Sequence, residues 1–388
     1  MPVLELNNKN SEELIYKTSS YLPTLDGWRA VAIVAVFVSH GRWTLFGSGG
    51  LWENPKLELI ASWGRLGVDL FFAISGFLIT TRLLSDMDRH GKFSLPQFYV
   101  RRVFRIFPPY LIYLGLIAVA GYSGFLQVSP REICDSLLFV RNYTIPPEGV
   151  YTNHFWSLAV EEHFYLLWPL LLLFSGKKKA VWIVPAIAVA IHIWRSLDSK
   201  FQLFAEVFPD AGLLHRTDTR IDALLWGCEA SLMMPLFARL GDRRRKALAT
   251  PAIFTMLTIG IVCGVPMMPL FIGIVFPLLI LSTVLLPATP AGRILEWGAL
   301  RWIGRLSYSL YIWQTLFLQS PLDSPFFGMP WLRFWPYNLL AIFVLAVISH
   351  YLVERPMIRI GHKLTGRLAV KRHTTVSKVV DGNLIGSF

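Results

Sequence analysis

The stretch from Leu25 to Trp43, LDGWRAVAIVAVFVSHGRW, decides the class of fold. Between Arg29 and His40 lie ten residues, all uncharged and all apolar except Ser39. In a helix, eleven steps of about 100° come within about 20° of three full turns, so Arg29 and His40 share one face, roughly 16 Å apart along the axis. One apolar helix thus carries a guanidinium at one depth and an imidazole at another. A histidine inside such a segment is a functional-site candidate when the solvent is lipid. The plainer alternative is an arginine snorkelling to the membrane edge and a histidine satisfied by a neighbouring helix.

Composition agrees with lipid as the solvent. Of 388 residues, 54% are hydrophobic and 16% charged, fourteen are tryptophan, and mean hydropathy is positive. This excludes a soluble domain and predicts an all-α, polytopic integral membrane protein. The net charge of +12 is scattered between apolar spans and forms no continuous stripe, which points to membrane topology and lipid contact and not to nucleic acid. Cys134, Cys228 and Cys263 have no regular spacing, so neither a disulfide framework nor a metal site is expected. Residues 1–24 are polar with no apolar core of a cleavable signal and read as a cytoplasmic N-terminal segment.

Apolar runs of spanning length occur near 27–46, 66–84, 104–122, 155–174, 180–195, 219–238, 250–265, 269–286, 303–320 and 337–353. The run Ile133 to Val140 is too short to cross about 30 Å of hydrocarbon. With the N-terminus inside, 27 of the 37 lysines and arginines fall in inside segments and 10 outside. An eleventh span at 133–140 would move the densest basic clusters outside, against the positive-inside bias. The expectation is about ten transmembrane helices with both termini cytoplasmic: a membrane domain over 25–360 and a basic cytoplasmic tail over 361–388. No internal repeat is visible, and no soluble domain is expected after the last span.

This topology assigns depths. Arg29 lies at the cytoplasmic end of the first helix and His40 in the outer half. Asp69 sits about one turn from the outer end of the second span, with Ser75 and Gly76 near its middle. Glu161, Glu162 and His163 in FWSLAVEEHFYLLWP lie about two turns deep, and Asp222 and Glu229 share a face of the span after Arg220. Intramembrane carboxylates cost several kcal/mol unless paired or hydrated, so these either line a polar cavity or make interhelical pairs. At the opposite depth, FYVRRVFRIFPPY groups Arg101, Arg102 and Arg105 along one flank of a helical turn, and Pro108 and Pro109 then break or kink it. Such a trio clamps phosphate-bearing ligands, or simply anchors the chain to the inner membrane surface. There is no glycine-rich phosphate loop and no GxSxG elbow.

LDGWRAVAIVAVFVSH, GVDLFFAISGFLI, FYVRRVFRIFPPY, FWSLAVEEHFYLLWP, RIDALLWG, LSYSLYIWQ and YLVERP together resemble the acyltransferase-3 family of bacterial inner-membrane O-acyltransferases, which modify carbohydrates and related acceptors. The motifs run from residue 25 to about 360 in the family's order. The resemblance implies a multi-pass protein of the bacterial inner membrane, an acyl-CoA donor, usually acetyl-CoA, supplied from the cytoplasm, and polysaccharide or lipid-linked glycan acceptors. By motif position it implies roles for Arg29, His40, Ser75, Arg101, Arg102, Arg105 and Glu161. It departs at Gln314, where the family often has histidine; glutamine cannot act as a base, which leaves at most an acceptor-orienting role. The extra extracytoplasmic hydrolase-like domain of some members is not expected.

The chemistry fits that layout. A sugar hydroxyl is a poor nucleophile at neutral pH, so attack on a thioester needs a base, and His40 is the candidate. It either deprotonates the acceptor directly or takes the acyl group first. Glu161 is expected to orient the imidazole, Arg29 with Arg101, Arg102 and Arg105 to hold the coenzyme A phosphates, and Ser75, Asp69 or Asp222 to contact the acceptor. The competing reading is a transporter or flippase, since buried carboxylates and histidines also build substrate paths. The sequence leaves the oligomeric state open.

Overall fold

The computed structural model describes residues 21–41, 64–144, 149–204, 212–240, 268–318 and 326–366. Among these residues the fold is helical, without strands. The apolar run at 250–265 lies outside them, as do most of the N-terminal segment and of the basic tail.

Helix α1 spans Pro23–His40, with proline in its first turn and Asp26 beside its positive dipole end. Helix α2, Leu66–His90, is about 37 Å long and stops at Gly91, whose left-handed φ of 70° suits glycine. Helix α3 spans Leu95–Tyr122 and runs through Pro108 and Pro109, so of the expected break or kink the break does not occur. In the same region the Tyr308 hydroxyl of a neighbouring helix donates to the Ile106 carbonyl at 2.6 Å. Helix α4, Pro130–Leu137, has eight residues, started by a Ser129–Glu132 capping box. At about 12 Å it is too short to cross a bilayer.

Helix α5, Phe155–Phe201, contains a sharp kink at Gly176, where φ is 67° and ψ 166°. His163 Nδ1 meets Thr217 Oγ1 at 2.7 Å, and Trp194 Nε1 donates to Asp218 at 2.8 Å. On a straight helix those two side chains would lie about 46 Å apart, yet both reach neighbouring residues. The chain therefore folds back at Gly176 into two arms, matching the separate runs expected at 155–174 and 180–195. Helices α6 (Asp222–Ala238), α7 (Met268–Leu285), α8 (Gly298–Leu318) and α9 (Tyr337–Ser349) follow. The last continues through a π-turn at His350–Glu354 to Gly366.

Two close helix pairs set the frame. A Cβ on Gly76 would fall 2.0 Å from the Leu224 carbonyl, and one on Gly304 would fall 1.7 Å from that of Asp26. Glycine is thus what brings α2 against α6 and α8 against α1, the small-residue contact that membrane helices use. Leu340, Val344 and Ile348 on α9, and Leu111, Ile112, Leu116 and Val119 on α3, are exposed. Large apolar stripes of this kind belong against lipid. Among the described residues, four helical stretches are long and apolar enough to cross a membrane: Leu66–His90, Leu95–Tyr122, Phe155–Phe201 and Tyr337–Gly366.

The ends of the bundle are chemically distinct. The start of α1, the late part of α2, the early parts of α3 and α8 and the extension of α9 all line one vestibule. Lys177 at the α5 corner reaches Asp88 near the end of α2 at 3.3 Å. Of the basic stretches expected on one side of the membrane, Arg82 and Arg105, Lys177, Arg305 and the first residues after Glu354 gather at one end, the Arg29 end; most of Arg239 to Lys246 and of the tail lies outside the described residues. His40 marks the other.

Candidate active site

At the Arg29 end a narrow chamber of about 80 Å³ penetrates between α1, α2, α3, α5 and α8. It is lined by Arg29 from α1, Ser75 and Arg82 from α2, Arg102 and Arg105 from α3, Glu161 from α5, and Ser307, Tyr308 and Tyr311 from α8. By the rule that one water needs about 10–15 Å³ on this measure, the chamber has room for roughly five to eight waters or a ligand group of that size. Arg29, Leu78, Arg82 and Arg105 also line the vestibule of about 480 Å³ that continues outward from it.

The arginines of the chamber are unusual in having no carboxylate of their own. Among the described residues, Arg29, Arg82, Arg102 and Arg105 make no ion pair or hydrogen bond. Arg102 lies over the rings of Tyr165 at 4.8 Å and Phe98 at 5.6 Å. Glu161, the chamber's carboxylate, accepts the Ser75 hydroxyl. Gathering four guanidiniums around the single carboxylate of Glu161 leaves excess positive charge in a low-dielectric interior, and an anionic ligand would relieve that cost. Ser307 Oγ is fully buried in the chamber wall with no hydrogen-bond partner. Arg101 has turned aside; it pairs with Asp86 at 3.7 Å and lines a side cavity with Arg82, Arg102, Arg105 and His362.

His40 lies beyond the chamber. Its Nδ1 is 3.1 Å from Gln314 Oε1, so Nδ1–H donates and Nε2 keeps its lone pair. The side chain expected to orient this imidazole was Glu161, but Glu161 is engaged by Ser75 at chamber depth and the bond to His40 comes from Gln314. The Gln314 departure thus falls on the candidate base itself. On α8, Tyr311 at the chamber wall sits one turn, about 4.5 Å, from Gln314.

Next to Gln314, Thr315 holds a second imidazole that sequence reasoning missed. Thr315 Oγ1 lies 3.0 Å from His154 Nδ1 and 3.0 Å from the Tyr113 hydroxyl, which is 2.8 Å from the Tyr151 carbonyl. Tyr113 donates to Tyr151, and the Thr315 proton goes to Tyr113 or, at 3.5 Å, to the Tyr151 carbonyl, so His154 Nδ1–H donates to Thr315. His154 Nε2 is then a buried lone pair without a partner. The Tyr311 hydroxyl, 2.9 Å from the His154 carbonyl and 2.5 Å from Ser157 Oγ, connects this layer to the chamber. The only sequence signal was a histidine directly before the FWSL motif.

The acceptor candidates Asp69 and Asp222 belong to the frame and line none of these cavities. Asp69 accepts from Arg220 at 2.6 Å, and Asp222 pairs with Arg195 at 3.0 Å. A buried carboxylate is tolerated when a guanidinium faces it, and these two pairs tie α2 and the second arm of α5 to α6 and the residues leading into it. Ser75 remains at the chamber. Among the described residues no group of three or more histidines, cysteines or carboxylates is arranged to hold a metal.

The acyltransferase-3 family model, described as an acyltransferase domain, matches residues 22–353. The chain belongs to this family. Peptidoglycan O-acetyltransferase OatA of Listeria monocytogenes is 29% identical over 380 residues, covering 88% of this chain and 56% of the relative. O-acetyltransferase OatA of Staphylococcus aureus is 28% identical over 379 residues, covering 91% and 60%. The chain thus spans somewhat more than half the length of these curated relatives. No solved structure matches it. The matched region of the family contains the chamber, His40, His154 and Gln314, and ends just short of Glu354.

Proposed function

We propose that this chain is a membrane O-acyltransferase. It takes an acyl group, acetyl in the first instance, from acyl-CoA on the cytoplasmic side and passes it to a hydroxyl of a carbohydrate such as a polysaccharide or lipid-linked glycan. The observation that carries the reading is the set of guanidiniums without ion pairs around a narrow chamber. The activities that the two relatives are named for, O-acetyl transfer and, in the Listeria protein, a peptidoglycan acceptor, support it. The setting proposed is the bacterial inner membrane, with about ten spans and both termini cytoplasmic.

Arg29, Arg102 and Arg105 hold the donor phosphates at the chamber, with Arg101 at its flank, and the pantetheine arm lies along Ser75 and Glu161. His40 Nε2 takes the acceptor hydroxyl proton as the oxygen attacks the thioester carbonyl. The C–S bond breaks, and the proton passes on to the thiolate, leaving an ester and a free thiol. In the alternative order His40 Nε2 carries the acyl group between donor and acceptor, with the same net change. Gln314 fixes the tautomer either route needs.

The test is transfer of labelled acetyl from acetyl-CoA to a soluble glycan acceptor by the purified protein, with release of free thiol. Both products are expected in equal amounts. Absence of acetyl-CoA binding, together with movement of unmodified glycan across proteoliposomes, would replace this reading with the transporter.

A further inference from the structure

Beyond the chamber, the vestibule has features that phosphate anchoring alone does not use. Six arginines line it, against two carboxylates, Asp26 and Glu354. Both carboxylates are occupied: Asp26 accepts from Tyr21 at 2.5 Å, and Glu354 takes Ser309 at 3.1 Å and His350 at 2.8 Å. Arg29, Arg82 and Arg105 stand at the neck shared with the chamber, whereas Arg305, Arg355 and Arg359 line the vestibule only. The guanidiniums therefore form two tiers. Arg305 and Arg359 make no ion pair or hydrogen bond among the described residues, and Arg355 rests over the Tyr351 ring at 5.2 Å.

The outer tier comes with aromatic faces. Trp302 and Tyr351 both line the vestibule, and the Trp302 indole donates to the Tyr351 hydroxyl at 3.4 Å. Tyr351 and Glu354 belong to the π-turn at His350–Glu354, an irregularity that recurs at functional sites. Two separated anion sites, the outer one beside ring faces, call for a ligand with two separated phosphate groups and a flat base near the second. Guanidiniums bind phosphate through a planar fork and aromatic faces stack bases.

We propose that Arg305, Arg355 and Arg359, with Trp302 and Tyr351, recognise the nucleotide end of the donor, its adenine and 3′-phosphate, while the neck arginines hold the pyrophosphate. This rests on the acyl-CoA reading above. The headgroup of phosphatidylglycerol offers the same phosphate chemistry, but it supplies neither a second phosphate nor a base for the aromatic faces.

The experiment compares binding of acetyl-CoA and 3′-dephospho-acetyl-CoA to the full-length protein in nanodiscs of zwitterionic lipid, and again with phosphatidylglycerol added. The parent is expected to prefer acetyl-CoA by about ten- to hundredfold in both lipids, the range for losing one charge-assisted phosphate contact. In R305Q/R359Q, acetyl-CoA affinity should fall to that of the dephospho form, whose own affinity stays within about twofold. W302L should weaken both donors by the same factor. Equal binding of the two donors by the parent overturns the assignment while leaving the acyl-CoA reading intact. Binding of neither donor overturns the reading beneath it. Equal binding of the donors together with loss of phosphatidylglycerol binding in R305Q/R359Q gives the outer tier to lipid. Because the decisive comparison changes the ligand and not the protein, it stands even where a variant folds poorly.

Discussion

The two ends of this bundle use the same residue types to opposite effect. At the His40 end the charges are matched: Arg220 with Asp69, Arg195 with Asp222, Arg216 with Asp198 at 2.8 Å and Asp218 at 2.6 Å, and Arg141 with Glu132 at 3.8 Å. At the Arg29 end, Arg29, Arg82, Arg102 and Arg105 line the chamber and make no ion pair or hydrogen bond among the described residues. Charges that satisfy one another inside the protein describe architecture, because their fields are spent locally. Charges left unmatched around a cavity describe a site, because the missing partner must come from outside. What the matched end offers to chemistry is the uncharged layer beside it, with the Nε2 lone pairs of His40 and His154.

The largest effect should come from that layer. H40A is expected to lower acyl transfer by roughly 10²- to 10⁴-fold, the usual contribution of a positioned base, while acetyl-CoA affinity holds. Turnover and donor binding measured on the same preparation check this. Retained turnover would remove His40 from the mechanism and collapse the division of labour between the two ends.

Next comes the matched end. D69A leaves the Arg220 guanidinium buried without its carboxylate, and a loss of about 3–5 kcal/mol in unfolding free energy is expected. A paired replacement, D69L/R220M, should recover most of it, since apolar substitutes for a buried ion pair are often neutral. Thermal unfolding in detergent reads the stability, and transfer assays read the function. Were D69L/R220M stable yet inactive, Asp69 would be an acceptor contact after all.

The unmatched end should respond in affinity. R29A is expected to weaken acetyl-CoA binding by roughly 1.5–3 kcal/mol, with R29K restoring only part, because an ammonium keeps the charge and loses the planar fork. Isothermal titration on the three proteins checks it. Unchanged affinity in R29A would make Arg29 an anchor of the chain and not of a ligand.

How much of this was legible beforehand follows from the range of the interactions. Apolar run lengths located the helices, and counting at 100° per residue placed Arg29 and His40 on one face. The Lys177–Lys179 cluster marked the corner that Gly176 makes. What the sequence could not supply were partners far along the chain: Asp69 and Arg220 are 151 residues apart, His40 and Gln314 are 274. Lacking those pairings, Asp69 and Asp222 read as acceptor contacts and Glu161 as the group behind His40. The continuity of α3 through Pro108 and Pro109 was likewise not readable from local rules alone. Composition distinguished a membrane protein from a soluble one. It could not distinguish a matched charge from an unmatched one.

The smallest effect sharpens the comparison through a group that the matched end keeps neutral. His215 lies in the connection before α6, edge-on to Trp156 at a centroid distance of 4.9 Å. Burial, then the guanidiniums of Arg220 and Arg65, push its pKa down from 6.5 to about 4. Between those values the unfolded chain holds a proton that the folded protein refuses, so stability must rise with pH across this window. The contribution is fully present above pH 6.5 and is lost as pH falls toward 4, with a slope of at most about 1.4 kcal/mol per pH unit from this one group. H215F keeps a ring against Trp156 and removes the proton, so the drop in unfolding temperature between pH 7 and pH 5 should be smaller in H215F than in the parent. An identical drop in both proteins would mean that the matched end accepts a further positive charge. Its pairs would then not be balanced as tightly as their distances imply, and the contrast with the open arginines of the other end would weaken accordingly.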